Sequence, residues 1–373
     1  MTDLFFYGTL RDPALLDIVL GRAADTTPAH LPEHAVVEAE GQSFPLLIAK
    51  ENARAEGVLV RDLSERDIAR LDFYEGAFDY ALMSLTVDTA DGAADALVYM
   101  PPVGRWPEGN AWSLDAWQAR WGEVSRRAAS EAMGRFDTQS GESVRALLPF
   151  FRNRAWSRMI AAEGAPQTLR TSRTIADVEL KAEDGGYDGF FRLKPFRLRY
   201  PTFDGGMSEE LRRECFVAYD VSLVLPYDPA TDCILLVEQL RFGPIHRGDP
   251  VPWVLEVVAG MVDAGETPEE AALRETREEA RLDLDRLIRV SGGYASPGYS
   301  TEFYHNFIGL CDLSESSARF SGGLDEEHED IRNHVLKFDD AIRLIETGEI
   351  NAVPLQMLLY ALMARRPELR ADA

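Results

Sequence analysis

Short apolar runs alternate with polar, Gly- and Pro-containing segments over the first 105 residues of the chain. The runs LFFYGTL, EGVLVRDL, ALMSLTVDT and ALVYMP are typical of buried or half-buried strands, and residues Pro13–Leu20 predict a short helix. A Pro- and Gly-rich segment, PPVGRWP at residues 101–107, then interrupts the pattern. The sequence therefore predicts an α+β domain over residues 1–105.

Helical spacing dominates the next part of the chain. Trp117, Trp121 and Val124 fall on one stripe of a helix predicted for residues 113–133, a pattern more typical of packing than of a ligand site. The polar segment DTQSGE reads as a linker, and a second helix is predicted from Ser143 to Ala162. We assign residues 106–164 to a helical connector.

Strands return in the second half. The segments ECFVAYDVSLVLPYD and CILLVEQLRF predict two strands joined by a turn at residues 228–232, and WVLEVVAG and FYHNFIGLCDL predict further strands. A helical segment at residues 268–280 lies between the last two of these strands, and another at residues 354–363 follows them. This alternation predicts an α/β/α sandwich around a mixed sheet over residues 165–373.

Length and charge narrow the class of protein. A chain of 373 residues is too long for one ordinary core, which favours two domains. The net charge of -24 argues against a nucleic-acid or anionic-membrane partner, because both would repel this surface. No apolar run reaches 18 residues, the first residues lack a basic signal region, and three scattered cysteines suit reduced thiols. We therefore expect a cytoplasmic protein.

The most regular pattern of charged residues lies at residues 260–282, GMVDAGETPEEAALRETREEARL. Thr267 is expected to be a helix N-cap, Pro268 to take the first helical position and Glu270 to complete a capping box. The following residues, to Ala280, have a helical composition. A helix that begins directly after Thr267 is therefore predicted.

Three carboxylates of this helix, Glu275, Glu278 and Glu279, crowd one face. Like charges at these spacings destabilise a helix by a few tenths of a kcal/mol per pair. Such a cluster suits a hard cation that takes oxygen ligands, most simply Mg²⁺. The alternative is a solvated acidic helix in an acidic protein, which a Glu-Glu pair alone would favour; the full spacing over residues 260–282 favours the metal site.

The same segment resembles the Nudix box, G-x5-E-x7-R-E-U-x-E-E-x-G-U, which binds a divalent cation and positions it on a diphosphate. Every acidic and Arg position of that pattern is present, but Arg281 replaces the Gly near its end. A Gly there would normally end the helix in a left-handed conformation. We therefore expect the helix to run on past Arg281 or to turn differently, without loss of the metal ligands.

Neighbouring segments, among them YDGFFRLKPFRLRY, LLVEQLRFG and ASPGYSTE, resemble the bacterial ADP-ribose pyrophosphatase group from about residue 175 to the last residue. The resemblance implies hydrolysis of ADP-ribose to AMP and ribose 5-phosphate with Mg²⁺, or with Mn²⁺ in its place. It implies metal ligation by Glu275, Glu279, Glu329 and the Ala259 carbonyl oxygen. Glu327 matches the general base of the group, and Glu278 is expected to bind the metal or to orient a water molecule.

The resemblance also places substrate contacts. Arg suits a diphosphate because its planar fork donates two parallel hydrogen bonds. The implied contact residues are Arg213, Glu214, Arg241, Met261, Ser296 and Glu302. Phe190 and Phe191 match aromatic residues that a partner subunit supplies to stack the adenine, which implies a homodimer; an ordinary core position is an equal alternative for these two rings.

The segments FFYGTLR and LDFYEGAFDY in the first domain resemble the γ-glutamylcyclotransferase-like (AIG2-like) family. The resemblance implies that a loop of Tyr7, Gly8, Thr9 and Leu10 presents backbone N–H groups to a carboxylate, and that Glu75 is the acid/base. A Glu in an apolar pocket has a raised pKa, which suits proton transfer. The alternative is that this fold serves as a docking or dimerisation module without turnover.

A chain that joins both parts resembles the tellurite-resistance-associated Nudix proteins of bacteria. The leading hypothesis is a Mg²⁺-dependent diphosphatase that takes ADP-ribose or another ADP-sugar. Two alternatives stay open: a nucleotide-sensing binding protein with an inactive Nudix site, and a γ-glutamyl cyclotransferase whose Nudix half is regulatory.

Overall fold

A computed structural model describes residues 2–75, 80–183, 185–313, 321–322 and 330–372. The chain divides into two compact units, Met1–Ala155 and Trp156–Ala373. The segment expected to be a connector contributes Trp117, Ala129 and Met133 to the core of the first unit. None of the described helices is both long and apolar enough to span a membrane.

A six-stranded sheet forms the centre of the first unit, in the order β3-β1-β5-β4-β2-β6. Strand β2 also pairs with β3, so the path through the first five strands closes on itself. The strands are β1 (Thr2–Phe6), β2 (Thr26–Ala39), β3 (Pro45–Leu63), β4 (Ala81–Thr89), β5 (Gly92–Met100) and β6 (Glu108–Ala111).

Helices cover this sheet and contribute to its core. Leu15 and Leu16 of the first helix pack with Leu4 of β1 and with Trp117. The helices are α1 (Pro13–Leu20), α2 (Glu65–Glu75), α3 (Leu114–Trp117), α4 (Glu123–Met133) and α5 (Gly141–Ala161), with a π-helical turn at Gln118–Gly122 between α3 and α4.

Two sheets form the second unit. A small sheet, in the order β10-β9-β7 with β8 also on β9, contains β7 (Glu179–Ala182), β8 (Tyr187–Asp188), β9 (Arg192–Arg199) and β10 (Leu211–Val217). The larger, mixed sheet has the order β15-β16-β11-β12-β18-β17, with β13 on β12 and β14 on β11. Its strands are β11 (Asp220–Asp228), β12 (Cys233–Leu240), β13 (Trp253–Glu256), β14 (Val258–Met261), β15 (Arg286–Tyr294), β16 (Phe303–Leu310), β17 (Ser321–Gly322) and β18 (Ile331–Lys337).

Helices lie on both faces of the larger sheet. They are α6 (Phe242–Arg247), α7 (Pro268–Ala280), α8 (Phe338–Thr347) and α9 (Val353–Ala371). Side chains alternate along each strand, so Leu223 and Leu225 of β11 pack with the buried residues of α8 and α9, whereas Val224 packs with Ala272 of α7. This alternation produces the expected α/β/α sandwich, and the predicted α+β fold of the first unit is also confirmed.

Candidate functional site

The helix α7 begins as its sequence predicts. The Thr267 hydroxyl accepts a hydrogen bond from the Glu270 N–H at 3.2 Å, and a Glu270 carboxylate oxygen accepts one from the Thr267 N–H at 2.8 Å. Pro268 occupies the first turn, and its carbonyl oxygen accepts a hydrogen bond from the Ser222 hydroxyl of β11 at 2.7 Å. The capping box thus fixes the helix start, and β11 holds it in place.

The end of α7 corrects the expectation for Arg281. The helix neither continues nor turns differently: Arg281 itself adopts the left-handed conformation, with φ 54° and ψ 36°. Its N–H donates to the Arg277 carbonyl oxygen at 3.1 Å, and the Leu282 N–H donates to that of Thr276 at 3.3 Å. These hydrogen bonds satisfy the carbonyl groups of Thr276 and Arg277 in the last turn of the helix and hold a non-glycine residue in a conformation that costs about 1–2 kcal/mol.

Two of the predicted metal ligands approach the short strand β14. The Glu279 side chain is buried, and one of its carboxylate oxygens accepts a hydrogen bond from the Ala259 N–H at 3.0 Å. Glu275 lies against the next residue, because a Cβ added to Gly260 would stand 1.8 Å from its carboxyl carbon. Only glycine leaves room for this carboxylate, which explains the Gly at the start of the motif.

Arg274 links the acidic residues of this site. Its guanidinium donates to both carboxylate oxygens of Glu266 at 2.9 Å, to Glu275 at 2.6 Å and to Glu278 at 3.0 Å. It also donates to the Met261 carbonyl oxygen at 3.0 Å. The hydrogen bonds that Arg274 donates to Glu266 are the largest cause of the raised pKa of Arg274, so this residue stays a cation that offsets the crowded carboxylates.

The chemistry of the donors fits a hard divalent cation. Glu275, Glu279 and the Ala259 carbonyl group offer oxygen atoms, the ligand type that Mg²⁺ and Mn²⁺ prefer. Among the residues that the structure describes, no group of three or more His, Cys, Asp or Glu side chains is arranged to hold a metal. Glu327 and Glu329 lie outside the described residues, so the structure locates Glu275, Glu279 and Ala259 but not the rest of the predicted ligand set.

The predicted substrate arginines stand on different elements of the second unit. Arg213 lies on β10, exposed, and donates to the neighbouring Arg212 carbonyl oxygen at 2.9 Å; Glu214, also exposed, accepts a hydrogen bond from the Arg212 guanidinium at 2.8 Å. Arg241 precedes α6, and its guanidinium donates to Glu256 at 2.7 Å. Arg213 and Arg241 thus both present partly exposed cations.

The remaining predicted contacts lie near the ends of strands. Met261 ends β14, and Ser296 follows β15, where its carbonyl oxygen accepts a hydrogen bond from the Ser300 N–H at 2.9 Å. Glu302 precedes β16 and accepts a hydrogen bond from the Tyr304 hydroxyl at 3.2 Å. Burial raises the pKa of the Glu302 carboxyl group.

Phe190 and Phe191 lie between β8 and β9, with 44% and 48% of their surface exposed. Their rings meet edge to face at 4.7 Å, and Phe191 contacts Phe216 at 5.1 Å. An ordinary core position therefore does not describe them in the single chain. Such exposed aromatic rings are the kind of residue that protein interfaces favour.

The first unit contains a pocket with a volume of about 90 Å³. The predicted loop, residues 7–10, forms one side of it, and Glu75 also lines it. The Tyr7 hydroxyl donates to the Tyr99 carbonyl oxygen at 2.9 Å, while the Tyr99 hydroxyl donates to Asp72 at 2.7 Å. The structure thus brings all five predicted residues of this unit to one small pocket with largely aromatic walls.

Glu75 ends α2 and is partly buried. Burial raises the pKa of its carboxyl group from 4.5 to about 7. Burial, and then Tyr80 and Glu75, raise the pKa of the Tyr7 phenol, which therefore stays protonated as a hydrogen-bond donor. A carboxyl group with a pKa near 7 can both donate and accept a proton near neutral pH.

Sequence reasoning missed Arg152, a cation from α5 that lines the same pocket. It also missed the buried pair of His305 and Asp220, whose imidazole Nε2 and carboxylate oxygen lie 2.7 Å apart in the second unit. The Asp220 N–H in turn donates to the Ser157 hydroxyl at 2.8 Å. No local pattern marks these residues, because each depends on a partner 63 or more positions away or on a cavity.

Comparisons with known proteins identify both units. The NUDIX domain model matches residues 218–356, and the model "Gamma-glutamyl cyclotransferase, AIG2-like" matches residues 4–119. The chain is 39% identical over 177 residues to an ADP-ribose pyrophosphatase of Haemophilus influenzae, covering 47% of this chain and 81% of that protein. It is 40% identical over 186 residues to an ADP-ribose pyrophosphatase of Escherichia coli K12, covering 50% and 88%.

A more distant relative, a GDP-mannose pyrophosphatase of Yersinia enterocolitica, is 31% identical over 171 residues, covering 44% of this chain and 87% of that protein. Both resemblances drawn from the motifs are therefore confirmed. The chain belongs to the Nudix family and carries an AIG2-like domain ahead of its Nudix domain.

Proposed function

We propose that the second unit hydrolyses the diphosphate of ADP-ribose to AMP and ribose 5-phosphate with Mg²⁺. The observation that carries the proposal is the identity of 39–40% over most of the length of two ADP-ribose pyrophosphatases. The packing of Glu275 and Glu279 against β14 supports it, because the box has kept the geometry that an inactive sensing module would not need. A water molecule adds to one phosphorus atom, the P–O–P bond breaks, and a proton is released.

The metal would be held by Glu275, Glu279 and the Ala259 carbonyl oxygen, with Glu329 as a further ligand. When bound, it neutralises diphosphate charge and lowers the pKa of a water molecule. Arg274 offsets the carboxylate charge and positions Glu275 through the hydrogen bond of 2.6 Å. Arg213 and Arg241 would bind phosphate oxygens, and Glu327 would take the proton from the attacking water.

A substrate panel tests this proposal. AMP release should be measured from ADP-ribose, ADP-glucose and ADP-mannose, and GMP release from GDP-mannose, each with Mg²⁺ and with a chelator. We expect hydrolysis of ADP-ribose that needs the cation. A chain that binds ADP-ribose tightly but releases no AMP with any divalent cation would instead be a nucleotide-sensing protein.

We further propose that the second unit forms a homodimer. The exposed pair Phe190 and Phe191 supports this, since stacking on the adenine from a partner subunit would bury both rings. Light scattering at assay concentration should give twice the chain mass of 41.6 kDa. A fully active monomer would exclude a role for these rings in a partner's site.

For the first unit we propose γ-glutamyl cyclotransfer. The amine of a γ-glutamyl group attacks its own γ-carbonyl carbon, the bond to the leaving amine breaks, and 5-oxoproline forms. Glu75 would take the proton from the attacking amine and give one to the leaving amine, a role that its pKa of about 7 supports.

The net charge of -24 also supports small-molecule substrates over nucleic acid for the whole chain.

Glu75→Gln tests the first unit separately. It should abolish 5-oxoproline release from γ-glutamyl compounds and leave ADP-ribose hydrolysis nearly intact. Glu65→Gln, at the opposite end of α2, is the matched control and should change neither activity. If the wild-type chain turns over no γ-glutamyl compound, the first unit is a docking module.

A further inference from the structure

We propose that Arg152 is a ligand-binding residue of the pocket in the first unit, where its guanidinium recognises a carboxylate of a small amino-acid-like molecule. Arg152 belongs to α5 and lies beyond residues 4–119, which the AIG2-like model matches. The inference deepens the proposed cyclotransfer by naming how the pocket holds its substrate. It concerns binding, so it can succeed or fail independently of turnover.

The ionisable side chains that line the pocket indicate which charges its ligand carries. Among the described residues that line it, Glu75 is the acidic side chain and Arg152 the basic one, and most of the others are aromatic or small. A ligand that complements such a pocket carries a carboxylate for Arg152 and an amino group for Glu75. The volume of about 90 Å³ limits that ligand to a small molecule.

Arg152 differs from neighbouring arginines in the charged groups that surround it. Neighbouring arginines of this unit are neutralised: Arg154 donates to Glu131 at 3.1 Å, and Arg126 to the buried Asp12 at 2.9 Å. In the part of the chain that the structure describes, no carboxylate stands within ion-pair distance of Arg152. Its guanidinium instead lies 5.2 Å from the centre of the Trp121 ring.

Burial of this cation has an energetic consequence. Burial lowers the pKa of Arg152, although its guanidinium stays charged at neutral pH. A partly buried charge without a counter-ion is costly, and a bound carboxylate would remove much of that cost. The planar fork of Arg also suits the two oxygens of a carboxylate.

Calorimetric titration of the full chain tests the proposal with three probes: γ-glutamylalanine, glutarate and glutaramide. Glutaramide has the shape of glutarate without its charges, so it isolates the contribution of the carboxylates. We expect the wild-type chain to bind γ-glutamylalanine and glutarate at least about 10-fold more tightly than glutaramide. No measurable binding of either carboxylate would overturn the proposal.

Arg152→Met should weaken binding of both carboxylates by about 10- to 100-fold and leave glutaramide unchanged. Arg120→Met is the matched control: Arg120 also stacks on Trp121, at 5.0 Å, but does not line the pocket. It should leave all three affinities within twofold of wild type. Equal losses in the two variants, or an equal loss for glutaramide, would assign Arg152 a structural role.

Arg152→Lys separates a binding role from a folding defect, because it keeps the positive charge but lacks the planar guanidinium. Its affinity for the two carboxylates should lie between those of wild type and Arg152→Met. Thermal melts of each variant verify the fold. Arg152-dependent binding without any release of 5-oxoproline would support the binding site and contradict the cyclotransfer. If Arg152→Met releases 5-oxoproline at the wild-type rate and with an unchanged KM, the cyclotransfer would be supported and the binding role of Arg152 contradicted.

Discussion

The two candidate sites solve opposite electrostatic problems. In the second unit, carboxylates crowd one end of α7, and Arg274 offsets their charge through four side-chain hydrogen bonds. In the first unit, Glu75 and Arg152 line a small aromatic pocket, and burial raises the pKa of Glu75 to about 7. One site gathers negative charge of the kind that suits a divalent cation, whereas in the other the pKa of a single acidic side chain lies near neutral pH.

This difference predicts different responses to the same chemical change. Replacing a Glu by Gln removes a needed charge from the α7 site. In the pocket of the first unit, the same replacement removes the proposed proton carrier Glu75 and also a charge that burial disfavours. The following predictions test the contrast, from the largest expected effect to the smallest.

Glu279→Gln should lower kcat for ADP-ribose hydrolysis by about 10⁴-fold, because it removes an anionic metal ligand while keeping the size of the side chain. Glu269→Gln, a change of a partly exposed side chain in the first turn of the same helix, should leave kcat within twofold. AMP release with saturating Mg²⁺ measures both. Near-full activity of the Glu279 variant would refute the metal assignment.

Glu327→Gln should lower kcat by about 10³-fold, the middle of the range for a general base, with little change in substrate affinity. Initial rates over a range of ADP-ribose concentrations separate the two parameters. An effect confined to KM would make Glu327 a binding residue.

Glu75→Gln should stabilise the first unit at pH 8 by about 3 kcal/mol and have little effect at pH 4.5. The folded pKa of about 7 lies above the usual 4.5, so the wild-type folded state binds more protons between these values and loses stability as the pH rises through this window. The variant lacks this titration. Calorimetric melts at both pH values measure the difference; equal stabilisation at the two would show that the Glu75 pKa is not raised.

Arg281→Gly should stabilise the second unit by up to about 1 kcal/mol. It relieves the left-handed conformation of Arg281, and the greater freedom of Gly in the unfolded chain offsets part of that gain. Urea unfolding of the two proteins measures the effect. A loss of stability would mean that the Arg281 side chain makes a favourable contribution larger than the backbone strain.

Local patterns predicted the elements whose determinants lie within a few residues. The start of α7 followed from Thr267, Pro268 and Glu270, and α1 and β4 have the bounds that the sequence indicated. The strand β2 escaped notice because Pro28 and Pro32 interrupt its pattern; long-range pairing with β3 holds it nonetheless.

The same distinction between local and long-range determinants applies to the residues of the candidate sites. Glu75 could be recognised from its motif, whereas Arg152 could not, since a cation on a helix gains a role only from the cavity that it lines. The helix end at Arg281 was wrongly expected for a related reason. Backbone hydrogen bonds after α7 impose a conformation that the side chain itself disfavours.

The closed strand path of the first unit bears on the order in which the chain can fold during synthesis. Strand β1 pairs with β3, where Thr2 faces Leu63, and with β5, where Leu4 faces Leu97. Its neighbours therefore leave the ribosome some 60 and 90 residues later, and contacts of such long range form slowly. The apolar strand β1 must wait for them, which makes nascent chains that have not yet reached β5 candidates for chaperone binding.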